Sequence, residues 1–355
     1  MIRVGIIGAG FGSLVHVPGF QQVDGATVVG IASRDPLRAR KVAEEKGIER
    51  AFESWRDLVD DPSIDAVSIA LPSTVQAEVA LAAIAKGKAV LCEKPLAADA
   101  SEAKRLLDAA EAVGVVHMVD FEFPEFPAMQ KTKEMIDRSD LGPLQSVTLE
   151  WTLSTWANPK RPWAWQCDRA QGGVMRALGI HMLSYIEWFA SPVESLTATL
   201  STAMRTRPDA TGAPREVTAE DTAHLELRLD GGVPVHVTVS NVLSNANGHV
   251  LRFQGEKGAL LLQSGNRPGA WEEFALTHIV GEESRTIACP RDPAYPDGRI
   301  PAFVRLAERF VEAVRTKNTQ VRPSFADGLR AQVLYDAVML ADRQQTWIDV
   351  SSESP

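Results

Sequence analysis

The chain has little cysteine: three residues, Cys92, Cys167 and Cys289, far apart and without a C-x-x-C pair. A disulfide framework and a cysteine-built zinc site are thereby excluded. No apolar run approaches the roughly 20 residues that a membrane-spanning helix needs. A basic excess is missing too. Lys and Arg number 37 against 46 Asp and Glu, for a formal net charge of −9, so there is no basic excess to neutralise a nucleic-acid backbone. There is no internal repeat and no low-complexity tract. The first apolar run is broken by glycines and lacks a cleavage site, so it does not read as a signal peptide. The expected setting is a reducing cytoplasm, with no membrane and no nucleic acid as partner. What remains is ordinary for a globular protein: 45% hydrophobic and 23% charged residues in a chain of 355, enough for two domains.

The most informative stretch comes first. Val4-Gly5-Ile6-Ile7 reads as a buried strand, and Gly8-Ala9-Gly10-Phe11-Gly12-Ser13 follows at once. A strand running into a G-x-G turn that opens a helix is a dinucleotide-binding arrangement. One glycine permits the tight turn, and the next lets the backbone approach a pyrophosphate at a helix N-terminus. The third position usually holds Gly or Ala; Ser13 is small enough to stand there.

Repeated strand–helix units follow. Val28–Ala32, Ala66–Ala70, Ala89–Cys92 and Val115–Val119 read as buried strands. Helices are expected from Pro36 to Lys46, with Asp35 as N-cap and Gly47 as stop, from Val75 to the stop at Gly87, and from Ala103 to the stop at Gly114. Such alternation predicts a parallel sheet covered on both faces. Near residue 120 the pattern changes. After a helix over Ala128–Arg138 come long strand-like runs at Ser146–Leu153, Leu196–Met204, Thr222–Leu229 and Val233–Val242, the last two joined by a hairpin at Asp230-Gly231-Gly232. Arg205–Arg215 reads as a surface loop, and helices return at Phe303–Val314 and from Leu329 onward. The expected fold is therefore α/β: a dinucleotide-binding domain over residues 1–120, then residues 121–355 as an α/β domain with a large open, mostly antiparallel sheet.

Three segments together resemble the Gfo/Idh/MocA oxidoreductases. They are the glycine turn with His16 after it, the run Gly87–Leu96 with its Glu93-Lys94-Pro95 motif, and Gly172-Gly173 followed by Gly179-Ile180-His181. Pro323–Arg330 is similar to the family as well. The resemblance implies a Rossmann domain, a second domain bearing the substrate site, and a homo-oligomer, dimer or tetramer. It also implies a cofactor lying along Gly8, Gly10, Phe11, Gly12, Ser13, Ser33, Arg34, Arg38, Leu71, Pro72, Gln76, Glu93 and Lys94. The Lys94–Pro95 peptide bond is expected to be cis, as it often is in that motif.

Lys94 lies just past a strand end, where an ammonium can hold a substrate oxygen as hydride moves. By resemblance it is the active-site lysine. His181 is the expected proton shuttle, since an imidazole titrates near neutral pH. Two carboxylates common in the family are missing: Ala177 stands four residues before His181, and Ser184 three after. Glu122 is the candidate substitute, facing the substrate with Trp163 and Trp165 from a tryptophan-rich reach that also holds Trp151 and Trp156. No metal is expected. Ser33-Arg34 ends the second strand where an Asp or Glu usually holds a ribose 2′-hydroxyl, which favours NADP; if Asp35 holds the ribose instead, NAD is the cofactor. The expected activity is hydride transfer between NADP(H) and a secondary alcohol or ketone of a sugar, cyclitol or related molecule. A reductase of an imine or enone, and a catalytically inactive NADP-binding regulator, are the alternatives.

Overall fold

The computed structural model describes residues 1–265, 274–290, 292 and 295–351. Contacts divide the chain into two units: Met1–Glu125 with Pro293–Gln332, and Phe126–Asp292 with Val333 onward.

The first unit is built on six parallel strands: β1 (Ile2–Ile7), β2 (Ala26–Ala32), β3 (Arg50–Phe52), β4 (Ala66–Ile69), β5 (Ala89–Cys92) and β6 (His117–Val119). Their order is β3-β2-β1-β4-β5-β6. Val4, Ile6, Ile31, Ala66, Val67 and Leu91 are all fully buried, as strands covered on both faces must be. The connecting helices are α1 (Val17–Phe20), α2 (Pro36–Lys46), α3 (Trp55–Asp60), α4 (Ser73–Ala85) and α5 (Ala100–Val113). Their ends follow local chemistry. The Asp35 carboxylate accepts the Leu37 N–H at 3.0 Å, Asp99 accepts that of Glu102 at 2.8 Å, and Gly47 and Gly114 close α2 and α5 in the left-handed region at φ 66° and 75°.

The second unit begins with α6 (Pro127–Asp137), then β7 (Leu144–Thr152), α7 (Ile180–Phe189) and β8 (Val193–Ser201). A short hairpin, β9 (Thr206–Pro208) with β10 (Pro214–Glu216), follows. The stretch read as a loop from its Pro, Thr and Ala content thus contains paired strands, closed at Asp209, whose side chain accepts the Thr211 and Ala213 N–H groups. Next come β11 (Thr222–Leu229), β12 (Pro234–Ser240), β13 (Gly248–Gly255), β14 (Gly258–Gln263), β15 (Ala275–Val280) and β16 (Glu283–Ile287). With β17 (Ile348–Asp349) they join one nine-stranded sheet, β16-β15-β14-β13-β7-β12-β11-β8-β17, in which, among the described residues, only β7 and β12 run parallel. Alternation is strict in β11, where Ala223, Leu225, Leu227 and Leu229 are buried between exposed His224, Glu226 and Arg228.

The chain then returns to the first unit. In α8 (Ile300–Thr316), Phe303, Leu306, Ala307 and Phe310 are fully buried in one core with Val4, Ile6 and Phe20. Each such phenylalanine contributes roughly 1.5–3 kcal/mol of burial. Gly19 is what lets the Phe303 ring approach: a Cβ there would lie 2.3 Å from it. Finally α9 (Phe325–Gln344) crosses the division, and β17 (Ile348–Asp349) pairs with β8.

Candidate active site

Four strand ends of the first unit are laced together at their carboxyl edge. The Ala70 N–H donates to Ile7, Glu93 to Ile69 and Asp120 to Cys92, at 2.7–2.9 Å. Strand order reverses between β1 and β4, and this edge is where such sheets bind ligands. The geometry of the glycine turn fits a pyrophosphate. Gly8 sits at φ 119° with the Ala70 carbonyl 2.3 Å from where a Cβ would be, so no other residue fits. A Cβ on Gly10 would meet nothing within 4 Å, which leaves that backbone open to approach. A Cβ on Gly12 would touch Ile6 at 3.0 Å. Ser13 turns its hydroxyl inward, to the Ala9 and Gly10 carbonyls. The expected α-helix does not begin at the turn: Gly12–His16 is π-helical, and α1 is one short turn containing Pro18.

At the end of β2, Arg34 is exposed. Asp35, the rival ribose ligand, has its carboxylate engaged as the cap of α2, and the Ser33 hydroxyl accepts the Asp35 N–H at 3.3 Å. Arg38 and Lys41 line a shallow cleft with Ala9, Ser13 and Asp35.

The Lys94 turn is held by buried polar groups. The Lys94–Pro95 bond is cis. Gln76, expected beside the cofactor, is fully buried, and its Nε2 donates to the carbonyls of Glu93, Pro95 and Leu96 at 2.6–3.2 Å. Its Oε1 makes no hydrogen bond among the described residues. Leu71 and Pro72 lead into α4. The family-like C-terminal segment also acts here: Gly328 packs on Leu96, 2.7 Å from where its Cβ would be.

Beside this turn lies a cluster centred on His16, which sequence reading placed in a motif without a role. His16 is fully buried. Its Nδ1 is 2.7 Å from the Ser68 hydroxyl, and its Nε2 is 3.0 Å from Glu93 Oε1 and 3.4 Å from Asp120 Oδ2. Its ring stacks on Phe303 at 4.5 Å and meets Phe11 edge-on at 5.5 Å. Burial alone would push this imidazole down, but hydrogen bonds and charge from Asp120 and Glu93 prevail and hold it up at about 9. Burial and the Glu93 charge push Asp120 up to about 7. Glu122 is raised to about 8, by burial first, then by Asp120 and Glu93, against the opposing charges of Lys94 and Arg299. Arg299 forms a double hydrogen bond with Asp297 and lies 4.6 Å over the Phe11 ring. His16 and Glu93 fell within recognisable motifs; Ser68, Asp120 and Arg299 lie outside them and carried no signal.

His181 belongs to the second unit, on α7, and is buried with its ring 6.1 Å from that of Trp151. The glycine pair before it has a steric cause. A Cβ on Gly172 would strike the Gln166 carbonyl at 2.1 Å, and one on Gly173, at φ 105°, the Glu220 carboxyl at 2.2 Å. Glu220, which no motif marked, accepts the Met175 N–H at 3.1 Å and so ties the start of the π-helical turn Met175–Gly179 that feeds α7. Arg176, beside Ala177, lies 5.3 Å over the Tyr335 ring.

The tryptophans do not form one wall. Trp151 is a core residue stacked on His249 at 4.2 Å. Trp156 is flanked by Arg161 and Arg207. Trp163 carries the Arg215 guanidinium 3.3 Å from its ring centre and donates to the Glu216 carbonyl. Trp165 is half-exposed.

The chain matches two family models: the oxidoreductase family with NAD-binding Rossmann fold over residues 2–121, and that family's C-terminal α/β domain over residues 133–350. An uncharacterised oxidoreductase of Synechocystis is 34% identical over 98% of this chain and 96% of its own. Levoglucosan dehydrogenase of Pseudarthrobacter phenanthrenivorans is 28% identical over 98% of both chains. A solved structure of a levoglucosan dehydrogenase, with NADH and L-sorbose, superposes with a TM-score of 0.89 at 26% identity, covering 98% of each chain. With a six-stranded Rossmann sheet, a nine-stranded second sheet and agreement along nearly its whole length, the chain belongs to the Gfo/Idh/MocA oxidoreductase family.

Proposed function

We propose that this protein is an NADP(H)-dependent dehydrogenase acting on a secondary alcohol, or on the matching ketone, of a sugar, cyclitol or related small molecule. The observation that carries the reading is the Lys94 turn: a lysine at the carboxyl edge of β5, on backbone anchored by Gln76 and Glu93, at the same sheet edge as the glycine turn. The nicotinamide cofactor supplies or accepts the hydride when bound. Gly8, Gly10, Gly12 and Ser13 form the backbone cradle for its pyrophosphate, with Phe11, Leu71 and Pro72 beside it, while Gln76 and Glu93 act through the Lys94 turn. Lys94 holds the substrate oxygen and steadies the charge that develops there. His181 moves the proton. Glu122, kept neutral near pH 7, donates a hydrogen bond to a substrate hydroxyl in place of the carboxylate missing at Ala177. Trp163 and Trp165 supply apolar surface to the substrate.

The choice of NADP rests on exposed Arg34 just after β2, on Arg38 and Lys41 of α2, which line the cleft beside the glycine turn, and on the capping engagement of Asp35. The levoglucosan dehydrogenase above was solved with NADH, so this chain's choice has to come from its own residues. We further propose a homo-oligomer working in a reducing cytoplasm. The three free cysteines accord with that setting, and no helix among the described residues is long and apolar enough to cross a membrane.

The test is turnover. NADPH and NADH oxidation, and the reverse reduction, are followed at 340 nm against sugars, anhydrosugars such as levoglucosan, ketoses, cyclitols, and an imine and enone set. Alcohol or ketone turnover that falls by about 10²–10⁴-fold in Lys94→Ala and in His181→Ala supports the assignment. Tight NADPH binding without turnover of any compound favours the regulator instead.

A further inference from the structure

We propose that His16 is a positioning residue of the active site: it clamps Glu93 and Asp120 and, through Glu93, fixes the peptide that carries Lys94. The proposal rests on the reading of Lys94 given above.

The clamp is continuous in hydrogen bonds. The Ser68 hydroxyl on β4 meets His16 Nδ1, His16 Nε2 meets Glu93 Oε1, and Glu93 Oε2 accepts the Lys94 backbone N–H at 3.2 Å. Both oxygens of Glu93 are therefore engaged, one by the ring and one by the lysine's own peptide. The ring itself cannot tilt away, because Phe303 stacks on one face and Phe11 meets its edge.

Charge explains why the clamp needs an imidazole. Two carboxylates lie within 3.4 Å of one nitrogen, in a site almost closed to water. Buried carboxylates this close cannot both stay ionised without a cation between them. A doubly protonated His16 balances Glu93, while burial and the Glu93 charge hold the neighbouring Asp120 above the usual carboxylate range. The other charged groups around the cluster are Glu122, Lys94 and Arg299, and Arg299 is already paired with Asp297. Losing the His16 proton would remove the counter-charge hydrogen-bonded to Glu93 and loosen the hold of that carboxylate on the Lys94 peptide, leaving Gln76 as the remaining anchor of the turn.

The experiment follows ring and peptide directly. Protein labelled with ¹⁵N in histidine and, separately, in lysine is titrated from pH 6.5 to 10, with NADPH present and absent. The expected result is a His16 ring carrying both protons at pH 7.5, with the Lys94 amide resonance moving at the same midpoint, near pH 9. His16→Asn keeps a donor but not the charge. It should bind NADPH within about twofold of wild type, shift the Lys94 amide, and lower kcat about tenfold or more at unchanged KM. A His16 ring that is singly protonated at pH 7.5, or a Lys94 amide that ignores the ring's titration, overturns the proposal; neither observation requires the variant to fold. No substrate is needed for these readouts, so the two readings can fail separately. If ring and amide titrate together while no compound turns over, the positioning stands and the dehydrogenase reading falls.

Discussion

Arg34 and Asp35 are neighbours with opposite consequences. If Arg34 holds a 2′-phosphate, Arg34→Ala should weaken NADPH by roughly 1.5–3 kcal/mol, the worth of a charge-assisted hydrogen bond, and leave NADH nearly untouched. Asp35→Ala should instead lower stability by about 0.5–2 kcal/mol through the lost cap of α2, without changing cofactor preference. Fluorescence titration with both cofactors and a thermal melt decide between them; NADH weakened selectively by Asp35→Ala would transfer the ribose to Asp35. Glu122 makes a second prediction. Its carboxyl is raised to about 8 in the folded state, chiefly by burial. A group raised in this way favours folding below its unfolded value of about 4.3 and loses that contribution as pH climbs through 8. Glu122→Gln cannot ionise. The variant and the parent should melt alike at pH 4.5, and the variant should then gain steadily until about pH 8. Each kcal/mol of that gain moves the midpoint by roughly 2–4 °C. Parallel melting curves across this range would show that Glu122 is not buried as an acid.

At the scale of elements, the start of the His181 helix is tightly constrained. Gly173 has a backbone conformation that other residues avoid, and the Glu220 carboxyl fills the space beside it. Gly173→Ala should destabilise by on the order of 1–3 kcal/mol. Because Glu220 holds the Met175 N–H, it should also impair turnover more than cofactor binding. A thermal melt and a kcat measurement on the same preparation check this; wild-type values of both would refute the role given to Glu220. The elements themselves were legible where local chemistry sets them. The Asp35 cap with Gly47, and the stop at Gly114, appear as read. The hairpin at 206–216 was not legible, because its strands are three residues long and lack alternation. β3 was missed for the same reason, being three half-buried residues.

For the whole molecule, the exposed face of the nine-stranded sheet is the surface to test for self-association. Glu226, His236, Thr148 and Arg252 lie side by side on adjacent strands, paired in that order, and all four are exposed. If the chain is a dimer or tetramer through this face, light scattering should return two or four times 38.6 kDa. Thr148→Arg, at the middle of the row, should then reduce the mass to one chain without lowering the melting temperature. A wild-type monomer at micromolar concentration would end the oligomer reading.

The sequence by itself determined the parallel-strand grammar, the glycine turn, the lysine turn and the change of pattern near residue 120, because each rests on neighbours within a few residues: a cap, a stop, a buried run, a glycine where a Cβ would collide. Only the tertiary structure decided what surrounds them. Residues 16, 68, 93 and 120 share one hydrogen-bonded cluster because four parallel strands end at the same edge, and no sequence spacing encodes that proximity. The same holds for α8, whose phenylalanines complete the core of the first unit nearly 300 residues after β1 began it, and for Trp151 of the tryptophan-rich reach, which the second sheet buries against His249. Burial in three dimensions, not residue type, set whether each of these groups packs, pairs or faces a ligand.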